Sequence, residues 1–256
     1  MHLAYRDTGS GPPLILLHGM FGDHLDWAPV IGPLSLTHRV IALDLPGFGD
    51  SAKPDRAYDC GLFVAALDQL FEECAPGAAT LVGNSFGGQI AMLYALERPE
   101  RVKGLVLTGP GGFYRYSEAD RAATIARMPG NWLRWVNGSV FRSLFEPLFV
   151  SDTPDTEAYL AKQEAKPGRP DWPRMVDAAI RTIQLHTELC FLDVLGRFGC
   201  PVLMLWGEND RIVPVKQGRA AVAGFANARL IEIRGCGHLP QIEAPARVID
   251  AIRNTD

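Results

Sequence analysis

Short apolar runs alternate with longer amphipathic stretches along most of this chain, and this alternation restricts its fold more than any other feature. The runs that predict buried strands are residues 14–17, 40–43, 80–82, 105–107, 202–205 and 230–233. Continuously apolar strands indicate burial on both faces, and helices between them indicate right-handed parallel crossovers. The pattern therefore predicts an α/β fold, with a mostly parallel central sheet flanked by helices.

Apolar residues at three- and four-residue spacing predict the intervening helices, at 60–74, 86–98, 215–223 and 242–253. The alternation stops between Gly112 and Leu189, where amphipathic segments and loops follow one another without a strand-like run. We expect residues 1–111 and 190–256 to form one core domain and residues 112–189 to be a helical cap inserted into it.

Composition excludes several classes of function. The net charge of −4, from 25 basic and 29 acidic residues, is too small to attract nucleic acid or an anionic membrane. The early apolar run at 14–17 is too short for an export signal or a membrane span. Five cysteines occur without a C-x-x-C pair or a histidine at zinc-ligand spacing. We expect a cytoplasmic protein with reduced thiols and no bound metal. The sequence does not specify an oligomeric state.

The segment 80–88 reads TLVGNSFGG and places a G-x-S-x-G motif between a predicted strand and a predicted helix. In that context the motif describes a sharp turn that exposes the hydroxyl of Ser85, with space only for glycine at Gly83 and Gly87. The helix that begins at Phe86 directs unpaired N–H groups toward the same place, so the Phe86 N–H is a candidate oxyanion donor. A serine that merely caps the helix is the alternative.

The segment 14–22, LILLHGMFG, is a predicted buried strand that ends in His-Gly, and with it the chain resembles the α/β-hydrolase family. The segment 43–51, LDLPGFGDS, is similar to that family's D-x-P-G-x-G-x-S loop. The resemblance implies that the loop after the first of these strands supplies a second oxyanion donor, the N–H of Met20, with that of Phe21 as the alternative. It implies structural roles for His18 and Asp44.

Two carboxyl-terminal segments extend the resemblance. The segment 202–214, VLMLWGENDRIVP, is similar to the family's strand, turn and acid, which implies that Asp210 orients the catalytic histidine. The segment 235–243, GCGHLPQIE, is similar to the family's G-H-x-P-x-x-E pattern, which implies that His238 is the general base. The order Ser85, Asp210, His238 is the order used by this fold. Glu208 is the main rival to Asp210.

The resemblance implies serine-nucleophile hydrolysis through an acyl enzyme, without a metal or organic cofactor, on a small-molecule substrate. We expect substrate contacts from Phe21, Trp132, Trp135 and Leu239, with the aromatic residues of 112–189 forming an apolar roof.

Three functions remain open from the sequence. A carboxylesterase needs only the triad, the oxyanion hole and an apolar pocket, and is placed first. Carbon–carbon hydrolysis of meta-ring-fission products is second, because the segments 83–88 and 108–112 are similar to those enzymes. Against it, Leu239 stands where those enzymes carry a Trp, and the substrate carboxylate would need an arginine such as Arg115, Arg134 or Arg142. A ligand receptor with negligible turnover is third.

Overall fold

A computed structural model describes residues 1–74, 77–127 and 131–254. It contains the strands β1 (Tyr5–Thr8), β2 (Pro13–Leu17), β3 (Arg39–Leu43), β4 (Ala79–Asn84), β5 (Val102–Thr108), β6 (Val202–Gly207) and β7 (Ala228–Ile233). They form one sheet in the order β1-β3-β2-β4-β5-β6-β7. β1 is antiparallel to β3, and every other neighbouring pair is parallel. The predicted α/β class and mostly parallel sheet are confirmed.

Helices connect these strands. They are α1 (Ala28–Leu34), α2 (Cys60–Glu73), α3 (Phe86–Glu97), α4 (Glu118–Arg127), α5 (Gly138–Ser143), α6 (Pro154–Ala165), α7 (Trp172–Glu188), α8 (Lys216–Ala221), α9 (Pro240–Glu243) and α10 (Pro245–Arg253). The core side chains of α1 and α10 lie in one hydrophobic cluster and those of α2 and α3 in another.

Both faces of the central strands are covered, as the apolar runs predict, whereas the run 230–233, predicted to be buried, lies in the edge strand β7, where only Ile233 is buried. In β2, Leu14 and Leu16 belong to the cluster with α1 and α10, whereas Ile15 and Leu17 belong to the cluster with α2 and α3. Successive side chains of a strand point to opposite faces, so a strand buried on both sides must be apolar throughout.

Three elements differ from the prediction. β1 was not predicted, because its sequence YRDT is polar and largely exposed, as an edge strand allows. α1 was not predicted either, because Pro29, Gly32 and Pro33 obscure its periodicity. The predicted helix 242–253 is two helices that meet at Ala244, whose backbone (φ −139°, ψ 53°) is not helical. Pro245 causes this break, because a proline disfavours helical backbone in the preceding residue.

The described residues between β5 and β6 contain α4 to α7 and short 3₁₀ turns but no strand. Part of this segment reaches the carboxyl edge of the sheet, where the carbonyl of Leu148 accepts a 2.7 Å hydrogen bond from the N–H of His238. The division into a core and a cap at residues 112 and 189 stays a prediction. Within the described ranges, no helix is both long and apolar enough to cross a membrane.

Candidate active site

Ser85 occupies the turn between β4 and α3 in a strained conformation. Its φ of +52° lies in the left-handed region, which side chains other than glycine rarely adopt. The turn is also crowded. A Cβ atom on Gly83 would lie 2.5 Å from the carbonyl oxygen of Gly87, and one on Gly87 would lie 2.2 Å from that of Leu17. Both glycines are therefore required for α3 to approach the sheet this closely.

The N–H group of Phe86 lies at the amino terminus of α3. As the first residue of the helix, it has no acceptor one turn earlier within the helix. The side chain of Phe86 is buried against Phe63, with ring centroids 5.2 Å apart. This packing fixes the backbone beside Ser85, where a partial positive charge of the helix terminus favours an anion.

His238 and Asp210 are paired. The Nδ1 atom of His238 lies 2.7 Å from Oδ2 of Asp210, and both side chains are buried. The other oxygen of Asp210 accepts hydrogen bonds from the N–H groups of Ile212 and Val213, both at 2.9 Å. The carboxylate is thus held in one orientation by its own loop. Glu208, the rival acid, is exposed, whereas Asp210 is buried.

The loop that carries His238 is anchored on two sides. Asn84 donates from its amide to the carbonyls of Thr108, at 2.9 Å, and His238, at 3.2 Å. Glu243 accepts from the N–H of Gly237 at 2.6 Å through one oxygen. Through the other oxygen it accepts from Val150 at 2.7 Å and from Ser151 at 2.6 Å. The histidine loop is therefore connected both to the serine turn and to the 112–189 segment.

The loop after β2 brings Met20 and Phe21 to the same edge of the sheet. The Nε2 atom of His18 accepts from the N–H of Leu45 at 2.9 Å, so its Nδ1 carries the proton and donates to the carbonyl of Gly19 at 2.7 Å. Burial lowers the pKa of His18, which keeps this neutral tautomer. The loop-orienting role expected of His18 agrees with this geometry.

Asp44 makes similar loop contacts. It accepts from the N–H of His24 at 2.6 Å and from that of Asp50 at 2.8 Å. These bonds connect the two loops that follow β2 and β3.

Four buried or largely buried charges join the loop after β2 to α6 and the turn that follows it. Lys162 contacts Asp26 and lies 2.9 Å from Asp23, while Lys166 lies 3.2 Å from Asp23. Burial opposes the charge of Lys162, but the two carboxylates outweigh it and raise the pKa of that ammonium. Lys166 also donates to the carbonyl oxygen of Phe21, a residue whose own φ is +58°.

A cavity of about 370 Å³ opens between these loops and the 112–189 segment. Ser85 and His238 line it, together with Met20, Phe21, Trp132 and Leu239. The remaining lining is mostly apolar and comes from residues that the sequence did not single out as substrate contacts: Leu133, Phe141, Leu144, Phe145, Leu148, Tyr159 and Ile212. Phe141 and Phe145 belong to the aromatic roof expected for this segment. No lysine or arginine of the described residues is part of the lining.

Trp135 lies elsewhere. It is 86% exposed and does not line the cavity, unlike Trp132 at its mouth. Both tryptophans lie on the same side of the 3₁₀ turn Asn131–Trp135, because residues three apart in such a turn share a side. Leu133, between them, is the buried residue. Trp132 thus reaches the edge of the cavity, while Trp135, one turn further, extends into solvent.

Across the described ranges, no group of three His, Cys, Asp or Glu side chains is placed to hold a metal ion.

Comparison with known proteins defines the family. Residues 12–245 match the sequence profile of the alpha/beta hydrolase fold. The chain is 32% identical to the pimeloyl-[acyl-carrier protein] methyl ester esterase of Nitrosomonas europaea, over 94% of each protein. It is 31% identical to the 2-hydroxy-6-oxo-6-phenylhexa-2,4-dienoate hydrolase of Comamonas testosteroni, over 93% of this chain and 85% of that one. The protein belongs to the α/β-hydrolase family.

A solved structure gives the same result. A thermophilic esterase from Thermogutta terrifontis superimposes with a TM-score of 0.85 and 27% identity, over 99% of this chain and 92% of that one. The relatives thus include both esterases and a dienoate hydrolase. The chain resembles both groups and shares the hydrolase scaffold with them.

Proposed function

We propose that this protein is a carboxylesterase in which Ser85 is the nucleophile and His238, oriented by Asp210, is the general base. Ser85 attacks the ester carbonyl as His238 takes its proton, and the resulting oxyanion rests on the N–H groups of Met20 and Phe86. The alcohol leaves with the proton from His238. Water, activated by the same histidine, then attacks the acyl enzyme and releases the carboxylic acid.

The observation that carries this proposal is the cavity beside Ser85. An ester with an apolar acyl chain needs apolar walls and a few polar groups at the reacting carbonyl, and this lining provides both. The side-chain pair of His238 and Asp210 at 2.7 Å supplies the base and its orienting group.

Carbon–carbon hydrolysis is the second candidate, supported by the 31% identity to the Comamonas testosteroni enzyme. A dienoate substrate carries a carboxylate, which would need a cation in the cavity. The three arginines considered for this role are engaged elsewhere. Arg115 pairs with Asp193 at 2.6 Å, Arg134 with Asp177, and Arg142 with Glu157 at 2.7 Å. None of them lines the cavity, which favours the ester.

The experiment that tests the proposal is a rate series on 4-nitrophenyl esters of increasing acyl length beside a ring-fission dienoate. We expect ester hydrolysis with an optimum chain length, little dienoate cleavage, and a loss of about 10⁴-fold or more in kcat for Ser85→Ala. Preferential cleavage of the dienoate would replace the esterase by the carbon–carbon hydrolase. Turnover of neither, with the substrate bound, would support the receptor.

A further inference from the structure

The cavity has one carboxylate in its mostly apolar wall. Asp26 is 2% exposed and belongs to the buried part of the lining, here termed the closed end, whereas Trp132 and Ile212, at the mouth, are 52% and 50% exposed. Lys162, whose ammonium contacts Asp26, also lies 5.1 Å from the ring centroid of Tyr159, another lining residue. Asp26 and Tyr159 are therefore neighbours at the closed end.

Only half of this carboxylate is satisfied by the described residues. Oδ1 of Asp26 accepts from Lys162, whereas Oδ2 has no hydrogen-bond donor there. A carboxylate oxygen can accept more than one hydrogen bond, so Oδ2 keeps its capacity for a donor. A group on the substrate that donates a hydrogen bond would use this capacity.

The position of Oδ2 relates this end to the serine. A Cβ atom on Gly22 would lie 2.2 Å from Oδ2, so this oxygen faces the backbone of the loop that also carries Met20 and Phe21. Because Ser85 and Asp26 line the same cavity, we expect an acyl chain on Ser85 that fills it to meet Asp26. Because the alcohol must leave first while the acyl group stays on Ser85, the alcohol belongs at the open mouth and the acyl chain at the closed end.

We propose, on the basis of the esterase function above, that the closed end of the cavity is a subsite for a terminal hydroxyl and that the substrates are esters of hydroxy acids. The hydroxyl donates its hydrogen bond to Oδ2 of Asp26. A terminal ammonium fits less well, since Lys162 already neutralises Asp26 and a second cation would be repelled. A terminal carboxylate would face Asp26 directly and is excluded by charge.

The test compares three series of 4-nitrophenyl esters, from four to ten acyl carbons, that end in a methyl, a hydroxymethyl or a carboxylate group. The readout is the ratio of kcat/KM for the hydroxylated ester to that for its methyl counterpart. We expect this ratio to rise to about tenfold at one chain length, the size of a hydrogen bond to a charged acceptor, and to stay near one at shorter lengths. The carboxylate series should be the poorest.

Two variants assign the effect to Asp26. Asp26→Asn should reduce the peak in this ratio of kcat/KM values, even if the absolute rates of the variant also change. Asp23→Asn weakens the same group of charges but does not line the cavity, and should keep the peak. A ratio that stays flat across all lengths while the methyl series is hydrolysed with Ser85 dependence would overturn the subsite and leave the esterase intact. A preference for the carboxylate series would overturn it as well. Absence of hydrolysis in all three series would overturn both proposals.

Discussion

The ammonium of Lys166, which comes from the turn after α6, donates a hydrogen bond to the carbonyl oxygen of Phe21 in the loop after β2. Lys166 is buried, and its ion pair with Asp23 lies beside this contact at 3.2 Å. Phe21 has a φ of +58°, so its backbone needs such support to keep its conformation. A lysine of the 112–189 segment thus contacts the loop that carries the proposed oxyanion donor, Met20, and we expect it to hold that loop in its conformation.

Replacing Lys166 tests this relationship. Lys166→Met should lower kcat for a short 4-nitrophenyl ester by about tenfold or more, because a misplaced donor no longer meets the oxyanion. KM should change much less, since the walls of the cavity remain. The measurement is a comparison of kcat and KM on folded protein, with thermal unfolding recorded in parallel.

Lys53 provides the matched control for that experiment. Its buried ammonium donates to the carbonyls of Gly49 and Ser51, at 2.7 and 3.1 Å, but it lies away from the cavity. Lys53→Met should destabilise the fold and leave kcat per folded molecule unchanged. Equal kcat values for the two variants would contradict a specific role for Lys166.

Exchanging the acid tests the orientation of His238. In Asp210→Asn, the remaining oxygen can still accept from Ile212 and Val213, so the loop should keep its shape. The new amide then donates toward Nδ1 of His238 and imposes the wrong tautomer. We expect kcat to fall by about 10³- to 10⁴-fold with little change in thermal stability. Glu208→Gln, which alters the exposed rival acid, should keep the activity of the parent. A loss in Glu208→Gln instead would reassign the acid.

The sequence was sufficient to predict the position of the candidate site because its information is local. Ser85, Asp210 and His238 each follow a strand of the parallel part of the sheet, and the carboxyl ends of parallel strands meet at one edge. Once the strands were recognised, the edge on which these residues lie followed from topology. The crowding at Gly83 and Gly87 was equally local and appears in the structure.

The cavity could not be predicted in the same way, since its lining depends on how the 112–189 segment packs. Leu133 and Trp135 are two residues apart in one turn, and only their packing decides which one faces inward. The contacts of Lys162 with Asp26 and of Lys166 with Phe21 join residues about 140 positions apart, and no periodicity reports such a pair. The closed end of the cavity, with Asp26 in its wall, therefore could not be predicted from the sequence.

Two glycines of different surroundings test the packing argument at the serine turn. Gly87→Ala places a methyl group 2.2 Å from the carbonyl oxygen of Leu17, which requires α3 to move away from the sheet. We expect a loss of stability of about 1–3 kcal/mol or more and a strong loss of activity. Gly32 lies within α1 with nothing within 4 Å of its added methyl group. Gly32→Ala should stabilise the protein by about 0.5–1 kcal/mol. Urea unfolding distinguishes the two, and similar shifts in both variants would refute the argument.

Acid sensitivity of the fold should arise in part from His186, a second histidine near His238. Its Nδ1 lies 2.5 Å from the amide oxygen of Gln89. Burial, with a smaller effect of His238, lowers the pKa of His186 from 6.5 to about 4. Between pH 6.5 and about 4, the unfolded chain therefore binds a proton at His186 that the folded chain does not bind. The stability that this histidine contributes is complete above pH 6.5 and is lost as the pH falls toward 4, by up to about 3 kcal/mol.

His186→Gln removes this titration and should give a shallower decline of the free energy of unfolding over the same range. The variant also loses its hydrogen bond to Gln89, so a constant offset at neutral pH is expected and the slope is the informative quantity. Urea titrations at pH 7.5, 6.5, 5.5 and 4.5 for both proteins measure it. The two curves should converge as the pH falls, because only the parent must accept a proton on unfolding. Curves that stay parallel through the whole range would show that His186 titrates alike in the folded and unfolded chains.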